Sequence, residues 1–534
     1  MDYKKEYQRW LDKGIMVEEL KALSEKEIEE CFYKELTFGT GGIRAIMGPG
    51  PNKLNEYTIC KNTEGYARFI ESKGEEAKKR GVVIAYDNRN HSGDFALVSA
   101  RVLATHDITV YLFDSLRTTP ELSFAVRYLR AYGGIVITAS HNPPEYNGYK
   151  TYDHHGCQSV LRDTDVIIEH IKGVDDLLDI NIDEEKAKNI KYVSKEIDEA
   201  YYEALLTVQE RPEQDKNVKI VYSPLHGTGN IPVRTMLNRL GYDVHVVEEQ
   251  CSPDPLFSNT ASPNPENKKS FIKAEELAKK VDADVIVATD PDCDRLGIVV
   301  KHEGKYHYLT GNQTGAILLE YLLSTKKEKG TLPSNGIVFD TIVTASLGAK
   351  VAEKYGVEVE STLTGFKFIG DKIREYKGKK TFLFGYEESY GYMIKDFTRD
   401  KDGVQSTILA TEACQYYKNQ GKTLVDVLND LYTEFGHLVD IQENETLPGI
   451  EGAKKIEELV NQYRYGTFEE IEGRKVVAKE DYKLSIRTDA DGEHPLTLPK
   501  SNVIKLFLED GSWVVVRPSG NEPKIKYYKN LWEK

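Results

Sequence analysis

Six cysteines in 534 residues, none close to another in the chain, leave little from which to build a disulfide framework or a thiolate zinc site. Their scatter suits free thiols in a reducing compartment, so a cytoplasmic location is the expectation. No apolar run approaches the ~20 residues that a membrane helix needs, and Met1-Asp-Tyr-Lys-Lys-Glu6 has no apolar stretch that would serve as a signal peptide. Positive charge is also short. With 71 Lys and Arg against 86 Asp and Glu, the net charge of −15 repels polyanions on average, which argues against nucleic acid or an anionic membrane as partner. A local basic pocket remains compatible with that average. A Walker-type glycine-lysine loop is missing, and Gly39-x-Gly41 lacks the remaining spacing of a dinucleotide fingerprint. What is present, 40% hydrophobic and 29% charged residues, is an ordinary soluble composition, long enough for three or four domains at ~150 residues each.

The pattern of elements is strand–helix–strand, as in mostly parallel α/β domains. Residues 17–36 have the spacing of one amphipathic helix. Residues 82–86, 108–113 and 135–137 read as buried strands, with a helix over 94–105. The acidic stretch 173–196 reads as a junction. A second unit starts near Tyr201, its strand 218–222 running into Ser223-Pro-Leu-His-Gly-Thr-Gly229. A third has strand 337–339 after the loop 330–336. The last ~95 residues read as α+β, with a helix over 452–463 and strands 503–508 and 513–516 joined through Asp510-Gly511, a hairpin signal.

Four stretches carry chemistry. The strand at 135–137 stops in Thr138-Ala-Ser-His-Asn-Pro-Pro144, where two prolines remove donors and leave the Ser140 hydroxyl on a stiff loop at the carboxyl end of a strand. Open α/β sheets bind ligands at that end, though for a serine taken alone a turn cap is the commoner role. Strand 284–288 ends in Asp290-Pro-Asp-Cys-Asp-Arg295. Extended backbone would point Asp290, Asp292 and Asp294 one way, and three converging carboxylates repel unless a cation sits among them. An all-oxygen set suits Mg²⁺; an EF-hand fails because Arg295 and Lys301 stand where glycine and glutamate are required. A solvated acidic turn is the bland alternative. Glu387 and Ser389, in Gly385-Tyr-Glu-Glu-Ser-Tyr-Gly391, are spaced to offer polar atoms on one side to sugar hydroxyls. Arg517-Pro-Ser-Gly-Asn521 combines arginine, hydroxyl and free glycine N–H as an anion nest.

Together these stretches resemble the α-D-phosphohexomutase family, and in detail its phosphoglucomutase/phosphopentomutase branch. Thr138-Ala-Ser-His-Asn-Pro matches the phosphoserine loop, Asp290-Pro-Asp-Cys-Asp-Arg the metal loop, Glu387-Glu-Ser389 the sugar loop and Arg517-Pro-Ser-Gly the phosphate loop. The resemblance implies three similar α/β domains with mixed or parallel sheets, at residues 1–198, 199–304 and 305–438, and a C-terminal α+β domain at 439–534, around a central cleft. It also implies that Ser140 carries a phosphoryl group and joins the three aspartates as metal ligand, with Arg44, His141, Lys150 and Arg295 at the reacting centre. Asn147-Gly148 is read as the turn bringing Lys150 back toward the serine. Substrate contacts are implied for Thr364, Gly365, Glu387, Ser389, Lys401, Arg517, Ser519, Gly520 and Asn521, the last replacing a threonine usual in the family.

The expected function is a mutase interconverting glucose 1-phosphate and glucose 6-phosphate, with Mg²⁺ as cofactor, glucose 1,6-bisphosphate as intermediate and activator, and small sugar phosphates as its partners, in a monomer or weak homodimer. Pentose or mannose phosphate substrates, bisphosphate synthesis, a metal-dependent phosphatase and a non-catalytic sugar-phosphate binder are the alternatives.

Overall fold

The computed structural model describes residues 2–39, 41–519 and 524–533. Four sheets follow one another along the chain. In the first, Val82–Tyr86 lies between Val110–Phe113 and Gly133–Ile137, all parallel. Tyr146–Tyr152 and then Ile43–Ile46 extend it antiparallel. These strands are almost continuously apolar because helices cover both faces. The second sheet has parallel Lys219–Ser223, Asp243–Val246 and Val285–Thr289, followed by antiparallel Leu296–His302 and Lys305–Tyr308. The third sets Gly336–Thr341 parallel to Glu358–Thr362 and Thr381–Glu387, with Gly391–Met393 antiparallel at its edge. The last is an antiparallel sheet on which the helix Gly449–Tyr465 packs through Val460 against Ile504, Val516 and Ile525. This is the architecture the sequence pattern anticipated. One continuous apolar core joins the first three units, running from Val136 and Phe124 through Tyr201 and Val233 to Leu322 and Leu428.

Three local readings differ. Residues 17–36 form two helices, Val17–Lys21 and Glu25–Phe32, because Ser24 and Glu27 close a capping box that starts a new helix. The acidic junction is partly structured: Lys191–Val193 pairs parallel with Val110–Phe113 as the outermost strand of the first sheet. Asn147-Gly148 is no turn but part of strand Tyr146–Tyr152; the chain reverses at Pro143–Tyr146, where the Tyr146 N–H donates to the Pro143 carbonyl at 3.1 Å.

His106, capping helix Ser92–Thr105, sits 2.8 Å from Glu64 and 2.9 Å from Glu71 on the helix packed alongside. The bond to Glu64 is the main cause raising its pKa, with burial opposing. Such a histidine contributes stability that is full below its unfolded value of ~6.5 and is lost as pH rises through the higher folded value. His106→Gln is therefore expected to lower the melting temperature by roughly 2 °C more at pH 6 than at pH 9, measured by circular dichroism.

Candidate active site and its carboxylate cluster

Ser140 follows the carboxyl end of strand Gly133–Ile137 in left-handed backbone, φ 51°, and is buried. Its N–H donates to Thr138 Oγ1 at 2.8 Å. Behind the loop, the buried Arg89 guanidinium donates to the carbonyls of Ser140 (2.6 Å), Pro143 (2.8 Å) and Tyr146 (2.9 Å), and also to that of Asn142. One arginine thus ties down the backbone that the two prolines leave without regular partners. Its own charge faces Asp87 at 3.4 Å.

The Asp290–Asp294 segment is a tight turn, where the sequence suggested an extended run. The Cys293 N–H donates to the Asp290 carbonyl at 2.9 Å, and Cys293 has φ 57°. Asp290 Oδ1 accepts the N–H groups of Asp294 and Arg295, both at 3.0 Å. The carboxylates still converge, one oxygen from each lying within 4.8 Å of the others, because the turn folds the segment around a common point. The glycine loop that precedes helix Asn230–Arg239 supports it: a Cβ on Gly227 would meet Pro291 Cα at 2.5 Å, and Thr228 donates twice to the Pro291 carbonyl at 2.8 Å.

Serine and aspartates come from different sheets, yet Ser140 Oγ donates to Asp290 Oδ2 at 2.6 Å. Thr119, at the start of helix Thr119–Tyr128, docks the two units through its hydroxyl on Asp292 Oδ2 and its N–H on the Asp292 carbonyl, both 2.9 Å. Lys150 Nζ lies 3.4 Å from Asp292, placed there because Lys150 is the register partner of Val136 next to the serine strand. Lys401 Nζ lies 3.0 Å from Asp294, its stem passing over Gly391, where a Cβ would be 2.0 Å from Lys401 Cδ. Burial and the repulsion of Asp292 and Asp294 push the Asp290 carboxyl well up. Burial pushes Asp292 up too, but Lys150, Asp290, Thr119 and Lys401 outweigh it and hold it below the usual range. One oxygen of Asp292 and one of Asp294 are buried and make no hydrogen bond. Two such oxygens, three hard ligands and a hydroxyl at hydrogen-bond distance form a donor set that fits a divalent ion.

The other candidates ring this cluster. Arg44 donates to Asn142 Oδ1 at 3.0 Å on the serine loop. His141 Nδ1 is 3.2 Å from Ser140 Oγ; burial and then Arg295, Arg44, Arg89 and Lys526 lower its pKa well below the ordinary value. Arg295 turns to Glu266 and lies 3.8 Å from Asp294. Gly365, φ 118°, gives its N–H to Glu387 at 2.8 Å, which seats the Thr364–Gly365 turn on the sugar loop. Thr364 Oγ1 is buried without a partner. Ser389 lies in the turn between Thr381–Glu387 and Gly391–Met393. Arg517 is in strand Trp513–Pro518, and the Ser519 N–H donates to the Lys524 carbonyl at 2.8 Å. Gly520 and Asn521 lie outside the described residues.

Five residues with a part in this site escaped the sequence reading. Arg89, Thr119 and Glu266 act across loops or units, so no local spacing announces them. Glu388, pushed up to about 7 by burial and Glu387, sits between Glu387 and Ser389, which drew the sequence reading instead. Lys526 is the register partner of Arg517, and burial and that arginine lower its pKa; two cations facing each other across a hairpin that delivers an anion nest were the available signal.

Comparison with known proteins agrees with this geometry. Models of phosphoglucomutase/phosphomannomutase α/β/α domains I, II and III match residues 35–177, 199–304 and 310–435. The chain is 40% identical to a phosphoglucomutase of Staphylococcus epidermidis over 98% of its length and 95% of that protein's, and 40% identical to one of Staphylococcus aureus over 95% and 92%. In fold it resembles a putative phosphomannomutase of Thermus thermophilus (TM-score 0.70, 23% identity, 94% of this chain and 96% of that one) and the open form of the phosphoglucomutase parafusin of Paramecium (TM-score 0.67, 20% identity, 93% and 90%). With three consecutive domain models matched and near-full-length relatives at this identity, the chain belongs to the phosphoglucomutase/phosphomannomutase family.

Proposed function

We propose that this enzyme is a phosphosugar mutase that interconverts glucose 1-phosphate and glucose 6-phosphate through a phosphoserine at Ser140 and glucose 1,6-bisphosphate. The observation that carries the reading is the 2.6 Å contact between Ser140 Oγ and Asp290 in a buried cluster where two carboxylate oxygens make no hydrogen bond. A binding protein has no need of a phosphorylatable hydroxyl there.

In this reading the phosphorylated Ser140 gives its phosphoryl group to the free hydroxyl of the bound sugar monophosphate. The Ser140 Oγ–P bond breaks, the sugar O–P bond forms, and the hydroxyl proton leaves to a neighbouring base. The resulting bisphosphate turns over, and its other phosphoryl returns to Ser140 Oγ. Asp290, Asp292, Asp294 and the phosphoserine oxygen would hold Mg²⁺, which when bound supplies charge withdrawal from the transferring group. His141, whose pKa burial and the neighbouring cations lower, and Lys150 are the groups close enough to move the proton. Arg517 and Ser519, with Lys526 beside them, anchor the phosphate that does not react, and Glu387 and Ser389 orient the ring. Lys401 and Arg295 keep positive charge beside the carboxylates. Gly391→Ala, which pushes Lys401 aside, is expected to cut kcat about tenfold, ~1.4 kcal/mol, and to lower the melting temperature because the buried Asp294 loses its cation. All clusters come from one chain, which suits a monomer or weak homodimer. Six unpaired thiols suit the cytoplasm. Among the described residues no helix is long and apolar enough to cross a membrane.

A coupled assay comparing glucose 1-, mannose 1- and ribose 1-phosphate, each with and without sugar bisphosphate, tests this. Glucose 1-phosphate is expected to turn over at least tenfold faster than the others, to need the bisphosphate, and to lose turnover on magnesium chelation. Ribose preference would make the enzyme a pentose phosphate mutase; phosphate release matching substrate loss would make it a phosphatase.

A further inference from the structure

A cavity of about 830 Å³ opens between the first and third units, away from the carboxylate cluster. It lies at the opposite end of the first sheet from Ser140: its lining residues Arg80, Tyr111 and Arg130 stand at or just before the amino ends of the parallel strands Val82–Tyr86, Val110–Phe113 and Gly133–Ile137. A five-residue strand spans ~17 Å, so the two sites are separate. The third unit contributes Arg374 and Lys377 from the end of helix Phe366–Glu375, and Arg399.

The walls carry seven Lys and Arg side chains and one carboxylate, Glu76, in a protein whose net charge is −15. Some of these cations are satisfied. Arg80 donates to the carbonyls of Arg130 (2.9 Å) and Ala131 (3.1 Å), and Arg374 to Asp371 at 2.5 Å. Others are not. Among the described residues the half-buried Arg127 makes no hydrogen bond or ion pair through its guanidinium, and neither does Lys377 at the rim through its ammonium. Arg399 is 3% exposed, and although one end bonds Asp396 at 3.0 Å its Nε has no partner. Burial, then the charge of Arg399, brings Arg127 down to about 10. Burial, then His154, Arg374, Arg399 and Arg127, brings His155 down to about 4. Asp396, paired with Arg399, and Asp153 offset part of this charge on Arg127 and Arg374; the positive excess that remains on two packed, partly desolvated units is costly without a further counter-ion.

We propose that this cavity binds a small polyanion carrying two or more phosphate groups, held between Arg127 of the first unit and Arg374 and Arg399 of the third. Planar guanidinium forks suit phosphate oxygens. The cations are spread from the deep Arg399 to the exposed Lys79 and Lys377, a span that one phosphate would not satisfy. The loop is also continuous with the catalytic side, since Lys401, two residues after Arg399, pairs with Asp294.

The test is calorimetric titration of the full chain with inorganic tripolyphosphate at 150 mM salt, with glucose 6-phosphate present to mask the catalytic cleft. One-site binding is expected, weakened at least tenfold in the double variant Arg127→Gln/Arg374→Gln, while mutase turnover stays within twofold. The rim variant Lys79→Glu/Lys377→Glu, which changes exposed side chains only, is expected to weaken binding at least fivefold and decides the matter should the buried pair disturb folding. Absence of tripolyphosphate binding at millimolar concentration, or binding unaltered by the rim variant, overturns the proposal.

Discussion

Replacing Ser140 by alanine is expected to lower mutase turnover at least ~10⁴-fold while leaving the fold intact, as removal of a covalent nucleophile does. The serine backbone is held by Arg89 through three carbonyls at 2.6–2.9 Å and by Thr138, none of which involves the hydroxyl. Alanine bears the left-handed φ of 51° about as well as serine, so the loop keeps its shape. What is lost is the 2.6 Å donor to Asp290, a buried hydrogen bond to a charged group worth ~1.5–3 kcal/mol. A melting temperature lowered by a few degrees, together with failure to incorporate label from phosphate-labelled glucose 1,6-bisphosphate, is the expected pair of results. Turnover within tenfold of the unaltered enzyme would remove Ser140 from the reaction.

Asp290→Asn is expected to cost at least ~10³-fold in turnover and to abolish stabilisation by Mg²⁺. An ion that binds only the folded state adds RT ln(1 + [L]/Kd), ~2.7 kcal/mol at a hundredfold excess over Kd, which a thermal melt with and without magnesium reads directly. The metal-free comparison has the opposite sign. Burial and the neighbouring Asp292 and Asp294 raise the folded pKa of Asp290 above its unfolded value. Its contribution is therefore a penalty that grows as pH rises from ~3.8 through the folded value, where the unfolded chain ionises more readily. An amide carries no such penalty, keeps an oxygen for the N–H groups of Asp294 and Arg295, and can donate to Ser140 Oγ. Without metal the variant should melt at or above the unaltered protein at pH 7, and below it once Mg²⁺ is added. Equal magnesium-induced shifts in both proteins would place the ion elsewhere.

The parts of the site that lie within one short stretch were legible because their chemistry is a property of that stretch. Asp290, Asp292 and Asp294 converge whether the segment is extended or, as observed, a turn closed by the Cys293 N–H. The prolines that follow Ser140 set it on a loop at the end of its strand, and Glu387 stands at the end of Thr381–Glu387; both are buried there. Lys150 was expected to reach toward Ser140 through a turn at Asn147-Gly148; its strand register with Val136 instead sets its ammonium 3.4 Å from Asp292. Arg295 was expected to face the transferring group, yet Glu266, 29 residues earlier, holds its guanidinium. The charged run Arg399–Gly403 has the composition of a surface turn, but Arg399, Asp400 and Asp402 are buried, and Tyr152 and Tyr201, far back in the chain, donate to Asp400 and Asp402.

The sequence by itself determined the alternation of apolar strands and helices, the loop at each strand's carboxyl end and the ligand types those loops carry, since hydrophobic period, proline and glycine act over a few residues. Only the tertiary structure decided which loops meet. The pairing of Ser140 with Asp290, the docking of Thr119 on Asp292 and the cationic cavity between Arg127 and Arg399 all depend on how packed units bury a shared core, and that packing is a sum over contacts between residues far apart in the chain.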